Sequence, residues 1–192
     1  MVTSPRTDER GFTLVDMLAV VVILTTAAAI ALPSMLGAME RVRLGQAARE
    51  VERELQTAEA RAVVKGHAMR VRFNCPAAGA YRAVELLGTT SVPLAADSSA
   101  TRCNESDYPY PPPDTNPLTT PNLDGPLRRL DSTVSFSEAQ TIEFRANGTA
   151  FYDAGGGDFD LIPVAGVDIT LLRNGVTATI TVNGLGKVAL QK

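Results

Sequence analysis

Asp16 is the one ionisable residue in an apolar run of about 21 residues, Phe12 to Leu32, and a carboxylate placed there needs a partner. At about 1.5 Å per residue a helix over this run spans about 32 Å, enough for a bilayer core of about 30 Å. A charged group inside such a span costs about 2.5–3.5 kcal/mol on insertion scales, so Asp16 marks a function by default. Other reactive residue types are sparse. His67 is the single histidine, the serines cluster in loop-like segments, and neither a Gly-x-Ser-x-Gly elbow nor a phosphate-binding glycine loop occurs. No enzyme and no cofactor are expected. The run Asp153-Ala-Gly-Gly-Gly-Asp158-Phe-Asp160 offers oxygen ligands to calcium but lacks the distant acidic residue of an EF-hand loop, and Gly-Asp runs are mostly turns. Cys75 and Cys103 are the only thiols, without zinc-type spacing. The expected metal site is therefore none.

The residues Arg10-Gly11-Phe12-Thr13-Leu14-Val15, followed by the apolar run and its acidic position, resemble the processing site of type IV prepilins and type II secretion pseudopilins. The resemblance implies a prepilin peptidase that cuts between Gly11 and Phe12, and N-methylation of the new terminal Phe12. Residues 1–11 would then be a removed leader and 12–32 a retained transmembrane helix. The family usually has Glu at the fifth mature residue, where this chain has Asp16, one methylene shorter. That carboxylate is thought to pair with the terminal amine of a neighbouring subunit during assembly. Pro33 stands where many members carry a helix-weakening, kink-forming proline. The implied partners are other pilin or pseudopilin subunits, the peptidase and inner-membrane lipid. The implied location is single-pass in the bacterial inner membrane, head outside the cytoplasm, and then a pilus or pseudopilus.

A secretory signal peptide competes with this reading: Arg6 and Arg10 would form its basic region and Ala29-Ile30-Ala31 its cleavage site. Asp16 sits badly in the apolar core of such a peptide, and a helical pattern continues straight through the supposed cut. A plain bitopic anchor would need neither Asp16 nor the Gly11–Phe12 junction. A buried helix of a soluble protein is seldom so long and apolar. Orientation stays open on charge alone, because Arg6 and Arg10 precede the span and Arg41 and Arg43 follow it.

The 192 residues suffice for one membrane helix and one modest domain. A net charge of −3 gives no global attraction to nucleic acid or anionic lipid. Tryptophan is absent and aromatics make up 5%, so a core must rest on Val, Leu, Ile and Ala. Two cysteines in an oxidising compartment favour a Cys75–Cys103 disulfide, with two free thiols as the alternative.

After Pro33 the helical pattern resumes, softened by Gly37 and Gly45. Leu44, Ala47, Ala48, Val51, Leu55, Ala58 and Ala62 recur at three- and four-residue steps and form one apolar stripe. Arg49, Glu50, Glu52, Arg53, Glu54, Glu59 and Arg61 are expected on the opposite, solvated face. Gly66 reads as the C-terminal cap. Period-two alternation then predicts a hairpin of Met69–Cys75 with Ala80–Leu86. The segment from about 88 to 126 is rich in proline and reads as a long surface loop. Tyr108-Pro-Tyr110-Pro within it is a candidate recognition surface. Strands are expected at Val134–Phe136, Thr141–Phe144, Ala150–Tyr152, Val167–Arg173, Val176–Val182 and Lys187–Leu190, with two-residue turns at Asn147-Gly148 and Asn174-Gly175.

The segment Ile142–Ala150, the Asn174-Gly175 hairpin and the closing Gly184-Leu-Gly-Lys-Val resemble the C-terminal domain of the H-type pseudopilin and FimT-like minor pilins. The expected fold class is α+β: a long N-terminal helix, transmembrane half (12–32) then amphipathic half (33–66), packed on an antiparallel β-sheet or β-sandwich head (67–192). The function implied is a structural minor pilin or pseudopilin subunit. A filament-tip adhesin or DNA-binding minor pilin on the same anchor is the alternative. Nucleic acid is the weaker partner, since the tail offers only Lys187 and Lys192 to phosphates.

Overall fold

A computed structural model describes residues 13–88, 97, 99–112, 116, 120–153 and 157–191, apart from the side chains of residues 33, 34 and 100. One helix, α1, runs from Leu14 to Lys65. Among the described residues ten strands follow: β1 (Met69–Phe73), β2 (Ala80–Glu85), β3 (Arg128–Arg129), β4 (Ser135–Phe136), β5 (Thr141–Phe144), β6 (Ala150–Asp153), β7 (Asp160–Leu161), β8 (Val167–Arg173), β9 (Val176–Val182) and β10 (Val188–Leu190). The chain divides into two compact units, Met1–Glu40 and Arg41–Lys192.

In the first unit the helix continues through the Pro33 position without interruption. Every described side chain from residue 13 to 39 is exposed, including Leu14, Val15, Ile23 and, at 80%, Ile30. An 18-residue window of this helix has a mean hydropathy of 2.4, long and apolar enough to cross a membrane. Two of its hydroxyls fold back onto the helix backbone. Thr25 donates to the carbonyls of Val21 and Val22, and Thr26 to those of Val22 and Ile23, all at 2.9–3.0 Å. Polar groups folded back onto the backbone present hydrocarbon outward, as an apolar solvent demands.

In the second unit α1 is amphipathic. Leu44, Ala48, Val51, Leu55, Ala58 and Ala62 are buried, and they join one core with Met69, Val71, Phe73, Ile142, Phe144, Leu171 and Ile180. Three of these six buried helix positions are alanine, which lets the helix approach the sheets closely. Among the described residues, ring-on-ring packing joins Phe73, Tyr81 and Phe136, with ring centroids 4.8–6.3 Å apart, within the range in which such rings attract. At the end of α1, Gly66 adopts φ +74° and its N–H bonds the Ala62 carbonyl at 3.0 Å, closing the helix as its sequence implied.

The strands form two antiparallel sheets, one of six strands in the order β3-β2-β1-β5-β6-β7 and one of four in the order β10-β9-β8-β4. β1 lies between β2 and β5, with Met69 opposite both Glu85 and Phe144. β8 and β9 are joined by Asn174 (φ +46°) and Gly175 (φ +79°), a two-residue turn that pairs Arg173 with Val176. The Asn147-Gly148 turn differs from expectation. Five residues separate Phe144 from its partner Ala150, because the Asn147 Oδ1 accepts from both the N–H and the hydroxyl of Thr149 and lengthens the loop. Where the β9–β10 turn crosses the chain leaving β7, a Cβ on Gly184 would lie 2.2 Å from the Ile162 carbonyl oxygen, so only glycine fits the crossing.

The expectation of a solvated charged face on α1 is corrected in part. Glu54 is 5% exposed and accepts from Arg128 Nε at 2.7 Å, on edge strand β3 of the larger sheet. Glu52 accepts from the N–H of Leu190 at 3.2 Å, on edge strand β10 of the smaller one. Arg61 donates to the Leu123 carbonyl at 3.2 Å. Edge strands leave backbone and side-chain donors unpaired, and the helix carboxylates meet them. Arg49 and Arg53 are exposed as expected.

Candidate functional site

The first turn of α1 carries Asp16. Thr13 donates from its N–H and its hydroxyl to Asp16 Oδ2, at 3.1 and 2.7 Å, and the Asp16 N–H returns a bond to Thr13 Oγ1 at 3.3 Å. This is a capping box with Asp in the usual Glu position: a Thr N-cap and an acidic third helical residue satisfy each other's backbone donors. The carboxylate also lies at the positive end of the helix dipole. Asp16 Oδ1 accepts no hydrogen bond among the described residues. Gly11 and Phe12, the expected cleavage and methylation positions, lie outside the described residues, as does the Pro33 side chain.

In the second unit the Cys75 and Cys103 sulfurs are bonded, with Cα atoms 5.6 Å apart. The disulfide is one end of a larger anchorage that the sequence did not announce. Cys103 ends a short 3-10 helix, Ala100–Cys103, and the preceding Arg102 is 1% exposed. Its Nη1 donates to Asp97 Oδ1 at 2.7 Å, and its Nη2 donates to the Glu85 carbonyl at 2.6 Å and to Asp124 Oδ1 at 3.1 Å. Asp97 Oδ2 accepts the N–H groups of Leu87 and Gly88, and Asp124 Oδ1 accepts that of Glu85. Burial pushes the Asp124 carboxyl above its ordinary value, while the Arg102 charge pulls it back.

Arg82, on the face of β2 turned away from the core, is fully buried. It donates to the carbonyls of Gly125, Arg102 and Tyr108 at 2.8, 3.2 and 2.7 Å. Arg72 donates likewise to the Ser99 carbonyl. Glu85 closes the set, accepting from the N–H groups of Asn122 and Leu123 at 2.8 and 3.0 Å and contacting His67 Nδ1 at 2.9 Å. Among its described residues, the proline-rich segment is thus held against β1 and β2 by side chains that satisfy its backbone, with Leu123 packed against the core. Proline supplies no N–H, so such a segment is rich in unpaired carbonyls, and arginine forks suit them.

The Tyr108–Tyr110 pair divides: Tyr108 packs its ring 4.9 Å from the Arg102 guanidinium, while Tyr110 is exposed. In the oxygen-rich run, Asp153 Oδ1 accepts the Gly157 N–H at 3.0 Å, a turn contact, and no group of three metal-ligating side chains occurs among the described residues.

No family model matches this chain, and no curated protein is similar to it at a meaningful level. Two solved structures are similar, both of the type IV minor pilin FimU of Pseudomonas aeruginosa strain PAO1. One, in space group P21, is 15% identical over 80% of this chain and 91% of that one, with a TM-score of 0.47. The other, in space group P65, is 13% identical over 78% and 93%, with a TM-score of 0.42. Likeness at this level assigns no role to the present chain.

Proposed function

We propose that this chain is a minor pilin or pseudopilin subunit, cut after Gly11, anchored through residues 12–32 and polymerised through its N-terminal helix. The observation that carries the reading is an apolar helix exposed on all sides, with a single carboxylate beside its first turn. Cleavage at the Gly11–Phe12 junction would create a new amine four residues before that carboxylate in the mature chain. Asp16 Oδ2 is occupied by Thr13 and Oδ1 is not, so one carboxylate can cap its own helix and accept a neighbour's Phe12 amine. At about 4 Å and an effective dielectric of about 20 the pair attracts by about 4 kcal/mol, comparable to the cost of inserting the charge. An unpaired carboxylate stays costly, so pairing selects one register between subunits.

The two roles of Asp16 separate by substitution. Asp16→Asn keeps an oxygen for the Thr13 cap but removes the charge. It is expected to be cleaved normally and to be largely lost from sheared filaments, measured by immunoblot against the parent. Asp16→Glu retains both cap and charge and should assemble. Normal incorporation of Asp16→Asn would reduce Asp16 to a helix cap and remove the charge-pairing mechanism.

A further inference from the structure

A second site lies in the head, where α1 ends and β1 begins, beside the outgoing ends of β2 and β5. It is a cleft of about 790 Å³, a size usual for small-molecule sites. Its walls are apolar at Leu86, Leu87 and Phe159 and cationic at Arg70 and Arg145, with His67 at the rim. Arg70 is buried, stands directly across from Glu143 in the β1–β5 register, and donates from Nε to Glu143 Oε2 at 2.9 Å. Arg145 donates from Nε to the other oxygen, Oε1, also at 2.9 Å. Each guanidinium is flattened on a ring: Arg70 lies 4.0 Å from the centroid of Phe159, and Arg145 lies 3.5 Å from that of Phe151.

One carboxylate therefore serves two guanidinium groups, each through its Nε. Glu85, at the His67 side, is engaged by His67 and the Asn122 and Leu123 amides. The terminal nitrogens of Arg145 make no hydrogen bond among the described residues, and its side chain is 45% exposed. Aromatic stacking fixes the guanidinium plane, so a bidentate partner meets a preorganised fork. His67 Nε2 also has no hydrogen-bond partner among the described residues.

We propose that this cleft binds a small organic anion, its carboxylate or phosphate on Arg145 and its apolar body against Leu86, Leu87 and Phe159. Glu143 orients the two arginines and limits their pull, so it competes internally with the ligand. The inference is independent of how the N-terminal helix is processed or assembled.

The test uses the full chain in a neutral detergent, with hexanoate, hexanol and inorganic phosphate as probes in calorimetric titrations. Hexanoate should bind saturably at one site, more tightly than phosphate, and hexanol should not bind measurably. Arg145→Gln should weaken hexanoate about tenfold or more, the value of one charge-assisted bond, while Arg49→Gln on the exposed helix changes nothing. Glu143→Gln should tighten it several-fold, a direction that simple loss of structure cannot produce. No saturable hexanoate binding, equal binding of hexanol, tighter binding of phosphate, or unchanged affinity in Arg145→Gln would each overturn the proposal.

Discussion

Arg102→Ala is expected to destabilise the head by about 3–5 kcal/mol, the cost of removing one partner from a buried ion cluster. The truncation leaves Asp97 and Asp124, 0% and 2% exposed, without their shared cation, and frees the Glu85 carbonyl of a 2.6 Å bond. The loss has a diagnostic pH dependence. Burial already raises Asp124, and Arg102 is the main influence opposing that rise, so in the variant the Asp124 carboxyl shifts further upward in the folded state. A carboxyl raised in the folded state binds more protons there than in the unfolded chain, so stability falls as pH rises above the ordinary carboxylate value of about 3.9. The deficit against the parent should be full at neutral pH and should narrow as pH falls toward 4. Urea titrations of both proteins across this range measure it. A deficit independent of pH would mean that lost packing, not orphaned charge, is responsible.

Replacing both Cys75 and Cys103 by serine should cost about 3–4 kcal/mol. The bond closes a loop with a sequence separation of 28 residues, and the chain-entropy relation gives about that value for such a loop. The disulfide and Arg102 hold adjacent residues to the same strands, so the two losses should not add. Once either anchor is gone, the segment after Cys103 has already lost much of its attachment. Limited proteolysis between residues 104 and 126 should accelerate in each variant, and the combined variant should exceed the worse single one only slightly. Strictly additive unfolding energies would show the two anchors to be independent.

The parts of this fold that were legible in the sequence are those built on a repeated spacing. The α1 stripe recurs over five turns, and every member from Leu44 to Ala62 is buried or, at Ala47, partly so. β8 and β9 alternate over seven residues each around an Asn-Gly turn. The illegible parts depend on long-range pairing. β3 and β7 have two residues each, too few to show a period. Arg70, Arg72 and Arg82 alternate with apolar residues as an outward-facing row would, yet Arg72 and Arg82 meet the proline-rich segment and Arg70 meets Glu143 and Phe159. Arg72 and Arg82 are held by carbonyls of the proline-rich segment, which no local pattern encodes. Glu54 misleads for a similar reason: its partner Arg128 lies 74 residues away. For Asp16 the residue type and spacing were clear, but its contact with Thr13 required coordinates.

Assembly through Asp16 requires a mature N-terminus at Phe12. Intact-mass and N-terminal peptide mass spectrometry of the membrane-extracted protein, produced in a host with a prepilin peptidase, reads it in one experiment. The expected result is a chain that begins at Phe12, carries one added methyl group on its amine and retains the whole apolar helix. A chain that begins at Leu32 or later would make residues 1–31 a discarded signal peptide. That outcome would leave Asp16 with no role in the mature protein and contradict the assembly reading.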